Sequence, residues 1–220
     1  LDIAGHSTYC DETGGDYYDV LDVSDADDET AVIAVGDVMG HGVAAAMLMA
    51  TARGILRSRC SVPGSLADFL NHLNEMLVVD TMGERFMTML LVTVSATRED
   101  LRWASAGHGP PMIYDATSDK FLEIDGGGLP LGLVHEAEYE EYVLPGVKSG
   151  FIILGATDGV TETKAEDGTL FGNERLQELV RKNAKRSSQD ISEAIRVAVT
   201  QFRGPSGQDD DVTFVIAKVI

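Results

Sequence analysis

The fold of this chain is decided around the stretch AVIAVGDVMGHGVAAAMLMA at residues 31–50. Its first five residues are small or β-branched and apolar, which predicts a buried β-strand. From Gly42 onward the apolar residues follow a helical period, so we expect a helix running from residue 43 toward residue 59. Asp37 therefore lies where a buried strand ends, in a glycine-rich turn just ahead of a helix.

Segments with strand composition lie on both sides of this stretch. Apolar runs and turn residues predict strands at residues 2–7, 17–23, 86–96, 102–105, 111–115, 121–124, 138–144, 151–154 and 212–219. Hairpins are the natural connections between them, with turns expected at residues 98–101 and 117–120. Because strand pairs outnumber strand-helix-strand units, we expect mainly antiparallel sheets.

Further helices are expected at three places. Ser65, with Asp68 three residues later, has the spacing of a capping box, so a second helix should begin there. Two more helices are predicted at residues 173–184 and 188–202. Together with the strands they indicate an α/β protein whose helices lie on the outer faces of its sheets.

The charge of the chain is strongly negative. It has 17 Lys and Arg against 36 Asp and Glu, a formal net charge of −19, over 220 residues of which 44% are hydrophobic. Nucleic acid and anionic membranes would be repelled, so neither is an expected partner. The length and composition predict one globular domain over residues 1–220. No Lys or Arg precedes Arg53, whereas the same stretch carries eleven Asp or Glu.

Cysteine usage and the start of the sequence indicate its setting. Only Cys10 and Cys60 are present and they form no C-x-x-C pair, so we expect a reducing, cytoplasmic compartment. No apolar run approaches the length of a membrane span. The sequence starts at Leu1 without a Met or a leader, so we expect a domain cut from a longer regulatory protein.

Four acidic clusters each lie where a predicted strand begins or ends, beside Gly or a turn. They are GGDYYD at residues 14–19, GDVMGHG at 36–42, ATDGVTE at 156–162 and QDDDVT at 208–213. Strand ends let side chains from distant segments converge on a rigid sheet. Carboxylates gathered without His or Cys suit hard cations such as Mg2+ or Mn2+. One cluster alone is explained as well by Asp-Gly turn chemistry, but the four in order indicate a site.

With AGHGPP at residues 106–111, these motifs stand in the order found in a known family. The chain resembles the bacterial branch of the metal-dependent PP2C-type serine/threonine phosphatases, the RsbU and SpoIIE proteins, over residues 1–220. The resemblance implies an α-β-β-α sandwich, in which two mainly antiparallel sheets are flanked by helices. It also implies a cofactor of two Mn2+ or Mg2+ ions, which activate water for attack on phosphoserine or phosphothreonine.

The resemblance implies a metal-binding role for five residues. Asp16 matches a carboxylate on one metal, and Asp37 matches the carboxylate that bridges two metals. Val38 falls where the family uses a main-chain carbonyl as a ligand, and Asp158 and Asp210 match the remaining metal-binding aspartates. Asp37 and Asp158 are also assigned the catalytic role.

Some assignments stay open at the level of sequence. Asp19 is an alternative to the first aspartate, and Asp209 or Asp211 is an alternative to the last. His41 and His108 lie in glycine turns, where a local hydrogen-bonding role is weighed above proton donation.

The resemblance also implies partners. The usual substrate in the family is a small phosphorylated anti-sigma-factor antagonist, an upstream sensor or regulatory domain is expected, and homodimerisation stays open. Relatives in animals and plants hold the substrate phosphate with an Arg near the N-terminus, but this chain has no basic residue before Arg53. We therefore expect activity to depend on a partner or on a rearrangement of the helices that begin near Val43 and Ser65.

Two other functions compete with the phosphatase hypothesis. A catalytically silent PP2C-like binding or signalling module would keep the fold, although it would be free to lose carboxylates that repel each other without metal. A two-metal nuclease or cyclic-nucleotide phosphodiesterase would more often show His ligands and a basic face. Neither feature is evident in this sequence.

Overall fold

The computed structural model describes residues 1–23, 30–59, 64–95, 99–205 and 207–220. Its helices and strands are β1 (Asp2–Thr8), β2 (Tyr17–Asp22), β3 (Thr30–Val38), α1 (Val43–Arg59), α2 (Leu66–Thr81), β4 (Met87–Ser95), β5 (Asp100–Ala106), β6 (Met112–Asp115), β7 (Lys120–Leu122), β8 (Tyr142–Pro145), β9 (Phe151–Ala156), α3 (Asp158–Glu162), α4 (Gly172–Asn183), α5 (Ser188–Arg203) and β10 (Val212–Lys218). Cys60 and the first residue of the turn predicted at 98–101 lie outside the described residues.

One sheet, which we call the β3 sheet, has the strand order β2-β3-β4-β5-β8. Its named strands all pair in the antiparallel sense, as predicted. β3 and β4 lie at its centre and are covered on both faces, so both are apolar along most of their length rather than alternating. Near the ends of these two strands, Asp37 lies directly opposite Thr88.

The second sheet, the β10 sheet, has the order β1-β10-β9-β6-β7 and joins the two ends of the chain. β1 pairs with β10, so that Asp2 lies opposite Lys218 and Thr8 opposite Val212. The hairpin predicted between β1 and β2 is therefore wrong, because β1 pairs with a strand at the far end of the sequence. β2 and β3 do pair directly, as predicted.

The two sheets pack face to face between two layers of helices. α1 and α2 cover the β3 sheet, where Leu70 and Leu91 belong to one buried cluster. α4 and α5 cover the β10 sheet, where Ile195 and Phe214 belong to another. Apolar side chains such as Val35 fill the seam between the sheets. The predicted α-β-β-α sandwich with antiparallel sheets is thus confirmed.

The helix ends show where local sequence signals were sufficient. Ser65 and Asp68 form the predicted capping box, in which Asp68 N donates to Ser65 Oγ at 3.1 Å and Ser65 N donates to Asp68 Oδ2 at 2.9 Å. The short α3 was not predicted, because its 5 residues are too few to show a helical period. Among the described helices, none combines the length and the apolar character that crossing a membrane requires.

Candidate active site

Strand pairing brings the acidic clusters to one end of the molecule. Ile33, Val35 and Asp37 share the face of β3 that meets the other sheet, since side chains alternate along a strand. Asp37 is the second-to-last residue of β3, so it lies at the edge of this apolar seam. Asp16 immediately precedes β2, and Asp158 follows β9 as the first residue of α3. The predicted placement of these clusters at strand ends is confirmed.

Asp16 is tied to both sheets. It is 2% exposed, the Thr157 hydroxyl donates to its Oδ2 at 2.8 Å, and its own N–H donates to Asp211 Oδ2 at 3.3 Å. These bonds join the segment before β2 to the residue after β9 and to the residue before β10. They hold the first acidic cluster against the third and the fourth.

Burial and mutual repulsion disfavour the charged forms of these carboxylates. The pKa of Asp16 is raised mainly by burial, and Asp37 adds to the shift, although hydroxyl groups that donate to Asp16 oppose it. The pKa of Asp37 is raised by burial first and then by the charges of Asp158 and Asp210. The pKa of Asp210 is raised by desolvation first and then by the charges of Asp158 and Asp211, although a hydrogen bond from the Asp211 N–H opposes the shift. All four predicted aspartates thus lie in one electrostatic neighbourhood, which a bound cation would neutralise.

Asp19, the alternative to Asp16, has a different partner. Arg57 of α1 donates to Asp19 through Nε and Nη2, both at 2.6 Å, and the Tyr17 hydroxyl donates at 2.8 Å. Burial raises the pKa of Asp19, but these bonds outweigh it, and the pKa is lowered. The Asp19 charge is therefore already neutralised by an arginine, so the surroundings favour Asp16 as the residue that meets a metal.

The three acids before β10 also differ in their surroundings. Asp211 is 5% exposed, and its Oδ1 accepts from Cys10 N at 2.8 Å. Asp209 is largely exposed, 3.9 Å from Lys164 Nζ. Asp210 Oδ1 accepts the Asp211 N–H at 2.8 Å, and its second carboxylate oxygen takes no hydrogen bond from a described residue. These surroundings favour Asp210 as a ligand, because Asp211 holds the N-terminal segment, Asp209 lies near Lys164, and Asp210 is close enough to Asp158 for that charge to raise its pKa.

A cavity of about 380 Å³ opens beside two of the predicted aspartates. Its walls include Asp37, Thr88, His108, Met112, Leu154 and Asp158. These walls combine negative charge with apolar surface. The carboxylates alone would repel a phosphate group, so a cation is needed before this cavity can receive one.

Val38 and His41 differ in what surrounds them. A Cβ atom at Gly15 would lie 2.9 Å from Val38 O, so the glycine lets the segment before Asp16 approach this main-chain oxygen. His41 Nδ1 lies 3.0 Å from Asp11 Oδ2, and both side chains are largely exposed. His41 thus contacts an exposed acidic side chain of the segment before β2, and its role stays a prediction.

The described residues offer oxygen donors without a preformed metal cage. In the part of the chain that the structure describes, no group of three or more His, Cys, Asp or Glu side chains is arranged to hold a metal ion. The donor chemistry nevertheless fits, because carboxylates and main-chain oxygens are the ligands that Mg2+ prefers. A bound cation would also remove the repulsion that raises the pKa of Asp16 and of Asp37.

Comparison with known proteins shows which family the chain resembles. The family model described as Stage II sporulation protein E (SpoIIE) matches residues 27–220. The phosphoserine phosphatase RsbU of Bacillus subtilis (strain 168) is 27% identical over 220 residues, which cover 100% of this chain and 64% of RsbU. The chain therefore spans less than two thirds of the length of that relative.

Solved structures show the same fold. The SiaA-PP2C domain of Pseudomonas aeruginosa matches with a TM-score of 0.85 at 24% identity, covering 98% of this chain and 85% of that one. RsbX, solved in complex with magnesium, matches with a TM-score of 0.71 at 14% identity, covering 99% of this chain and 94% of that one. At these identities the likeness shows the fold alone, and the fold is that of PP2C domains. Since the family model matches most of its length, the chain belongs to the SpoIIE family.

Proposed function

We propose that this chain is a metal-dependent protein serine/threonine phosphatase, which hydrolyses phosphoserine or phosphothreonine on a partner protein with two Mn2+ or Mg2+ ions as cofactor. The observation that carries the proposal is the proximity of the buried Asp16 to the half-buried Asp37, which is itself within reach of the charges of Asp158 and Asp210. Buried carboxylates that repel one another are costly unless a cation pairs with them. The activity in the name of RsbU and the magnesium bound to RsbX support the same conclusion.

The residues proposed to hold the metals are Asp16, Asp37, Asp158, Asp210 and, through its carbonyl oxygen, Val38. Held by these residues, the two ions would lower the pKa of a water molecule and neutralise charge on the phosphoryl oxygens. Asp37 and Asp158 lie in the wall of the cavity that would receive the phosphate. The Thr157 hydroxyl donates to the Asp16 carboxylate at 2.8 Å and so fixes its orientation.

The proposed substrate is a small phosphorylated anti-sigma-factor antagonist, as the family resemblance implies. The net charge of −19 agrees with a phosphate that rests mainly on metal ions rather than on a basic surface. Regulation by an upstream domain, homodimerisation and a cytoplasmic location remain predictions that accompany this proposal.

Phosphate release from a phosphoserine protein tests the proposed function. The domain is incubated with a serine-phosphorylated antagonist protein or with p-nitrophenyl phosphate, in Mn2+, in Mg2+ and in EDTA. We expect release with either metal, none in EDTA, and recovery when Mn2+ is added in excess of EDTA. The absence of turnover of both substrates in both metals, by the domain alone and by the domain with its natural upstream segment, would refute the proposal.

A silent binding module is the second candidate, and the open arrangement of the carboxylates favours it. Titration with Mn2+ by calorimetry, alongside the turnover assay, separates the two functions. Tight Mn2+ binding without release of phosphate from any phosphoprotein indicates the silent module. Binding together with turnover indicates the enzyme.

A further inference from the structure

His108 makes two hydrogen bonds that reach different sheets. It is 9% exposed, its Nε2 lies 2.9 Å from Ala156 O of β9, and its Nδ1 lies 2.9 Å from Thr88 Oγ1 of β4. A carbonyl oxygen only accepts hydrogen bonds, so Nε2 must carry the proton. In the neutral ring Nδ1 then accepts from the Thr88 hydroxyl, and the hydrogen-bond pattern fixes the tautomer.

The two partners of His108 are adjacent to predicted metal ligands. Thr88 lies directly opposite Asp37 in the pairing of β4 with β3. Ala156 ends β9, two residues before Asp158. The imidazole therefore connects the backbone segments that carry these two aspartates. Among the described residues, the hydrogen bonds of the ring go to Thr88 and Ala156 and not to either aspartate.

This polar link differs from the rest of the seam between the sheets. Away from the acidic end, the sheets meet through apolar side chains such as Val35 and Val215, whose contacts are non-directional. Hydrogen bonds impose a distance and an angle, so the imidazole defines the separation of the sheets at the acidic end more narrowly. The main chain of His108 is itself fixed, because the Ser105 hydroxyl donates to its carbonyl oxygen.

The surroundings of His108 exclude a role as proton donor to a substrate. Both ring nitrogens are engaged, and the only ring proton is directed at Ala156 O. Burial lowers the pKa of His108, which keeps the ring neutral. A neutral ring adds no positive charge beside a cavity that is proposed to hold cations.

We infer that His108 is a positioning residue, which fixes the backbone segments that carry Asp37 and Asp158 relative to each other by bonding to Thr88 and Ala156, and thereby places the two carboxylates for metal binding. This inference rests on the proposed metal-dependent function. Replacing a residue that orients metal ligands without binding the metal itself typically weakens metal affinity by about 10–100-fold. Loss of the His108 contacts should therefore weaken metal binding, and lower turnover as a consequence.

The hydrogen bonds of His108 to Thr88 and Ala156, which we call the His108 bridge, are tested by removing the Thr88 hydroxyl. This substitution changes the shape of the side chain little. Thr88→Val keeps the β-branched shape, Thr88→Ser keeps the hydroxyl, and Thr93→Val makes the same substitution at a half-buried site further along β4. Mn2+ binding is measured by calorimetry at a temperature where circular dichroism shows every variant to be folded. We expect about tenfold weaker binding for Thr88→Val, and binding within about twofold of wild type for Thr88→Ser and Thr93→Val.

A second series replaces the ring itself. In His108→Asn the amide can still accept from Thr88, in His108→Gln it can still donate to Ala156 O, and in His108→Phe both bonds are lost. We expect Mn2+ affinity to fall most in His108→Phe and to a lesser extent in the two amide variants. A purely structural histidine would instead lower the thermal midpoint of the metal-free domain and leave the Mn2+ affinity of the folded protein unchanged.

The outcomes separate this inference from the proposed function. If wild type binds Mn2+ and Thr88→Val binds it equally well, the bridge is overturned and the proposed function stands. If wild type binds neither Mn2+ nor Mg2+ and releases no phosphate, the proposed function fails and the inference fails with it. Weaker binding in Thr88→Val that Thr88→Ser restores supports the bridge.

Discussion

Asp16 and Asp19 lie three positions apart in one acidic cluster, yet the protein treats their charges in opposite ways. Both are buried, at 2% and 8% exposure. Asp19 accepts two hydrogen bonds from Arg57, and its pKa is lowered, whereas Asp16 faces other carboxylates and its pKa is raised. The comparison separates a carboxylate that the fold neutralises by itself from one that remains to be neutralised by a cation.

The largest expected effect comes from removing carboxylates that the fold leaves unneutralised. We expect Asp37→Asn and Asp158→Asn each to lower turnover of p-nitrophenyl phosphate in Mn2+ by at least about a hundredfold, because electrostatic groups at the reacting phosphate are lost. Initial rates at saturating substrate measure the effect. Asp209→Asn, at an exposed acid of the last cluster, is the matched control and should keep wild-type turnover. Wild-type rates in both test variants would contradict the proposed roles.

A smaller effect distinguishes Asp16 from Asp19 in the absence of metal. Asp19→Asn should lower the free energy of unfolding by about 2 kcal/mol, because the hydrogen bonds from Arg57 and Tyr17 to the buried carboxylate lose their charged acceptor. Asp16→Asn should not destabilise the domain in EDTA, since an amide resembles the protonated acid that a raised pKa favours. Urea denaturation of both variants in EDTA measures the difference. Equal losses in the two variants would show that the two carboxylates are not treated differently.

The smallest effect is the pH dependence of the Asp19 contribution. The folded-state pKa of Asp19 lies below its ordinary value of 3.8, so its stabilising effect is complete above that value and is lost as the pH falls through the folded-state pKa. The gap in unfolding free energy between wild type and Asp19→Asn should be constant from about pH 8 to pH 5 and shrink below about pH 4. Urea titrations across this range measure the gap. A gap that already shrinks near pH 6 would point to another titrating group.

Local signals in the sequence predicted the elements that carry the site. The change of period after Asp37 gives the end of β3 and the start of α1 at Val43, and the Ser65 capping box gives the start of α2. These features succeed because they depend on residues a few positions apart. The acidic clusters at strand ends were also readable, since Gly and Asp mark turns.

Long-range features could not be read in the same way. The pairing of β1 with β10 depends on residues at opposite ends of the chain, so no local pattern records it. Asp211 was left as an alternative ligand, although alternation along β10 places it on the same face as Thr213 and Val215, which point into the seam. That period-two pattern could have indicated its buried role before the structure was known.

Composition alone does not show which apolar residues of a helix are buried. Met47 is 66% exposed, whereas Met49 packs against the buried cluster under α1. Both lie on α1, and a two-residue step turns a side chain by more than half a helical turn. An apolar residue in a helix therefore indicates burial only together with its position on the face.

The pairing of β1 with β10 has a consequence for how the protein folds during its synthesis. The main chain of Asp16 is held by Asp211, which lies 195 residues later in the sequence. A ribosome releases the segment containing Asp16 long before it has made the strand that completes this sheet, and pairings so distant form late in folding. The acidic site can therefore form only after the residues of β10 have been synthesised, and a shorter nascent chain lacks the segment that holds the main chain of Asp16.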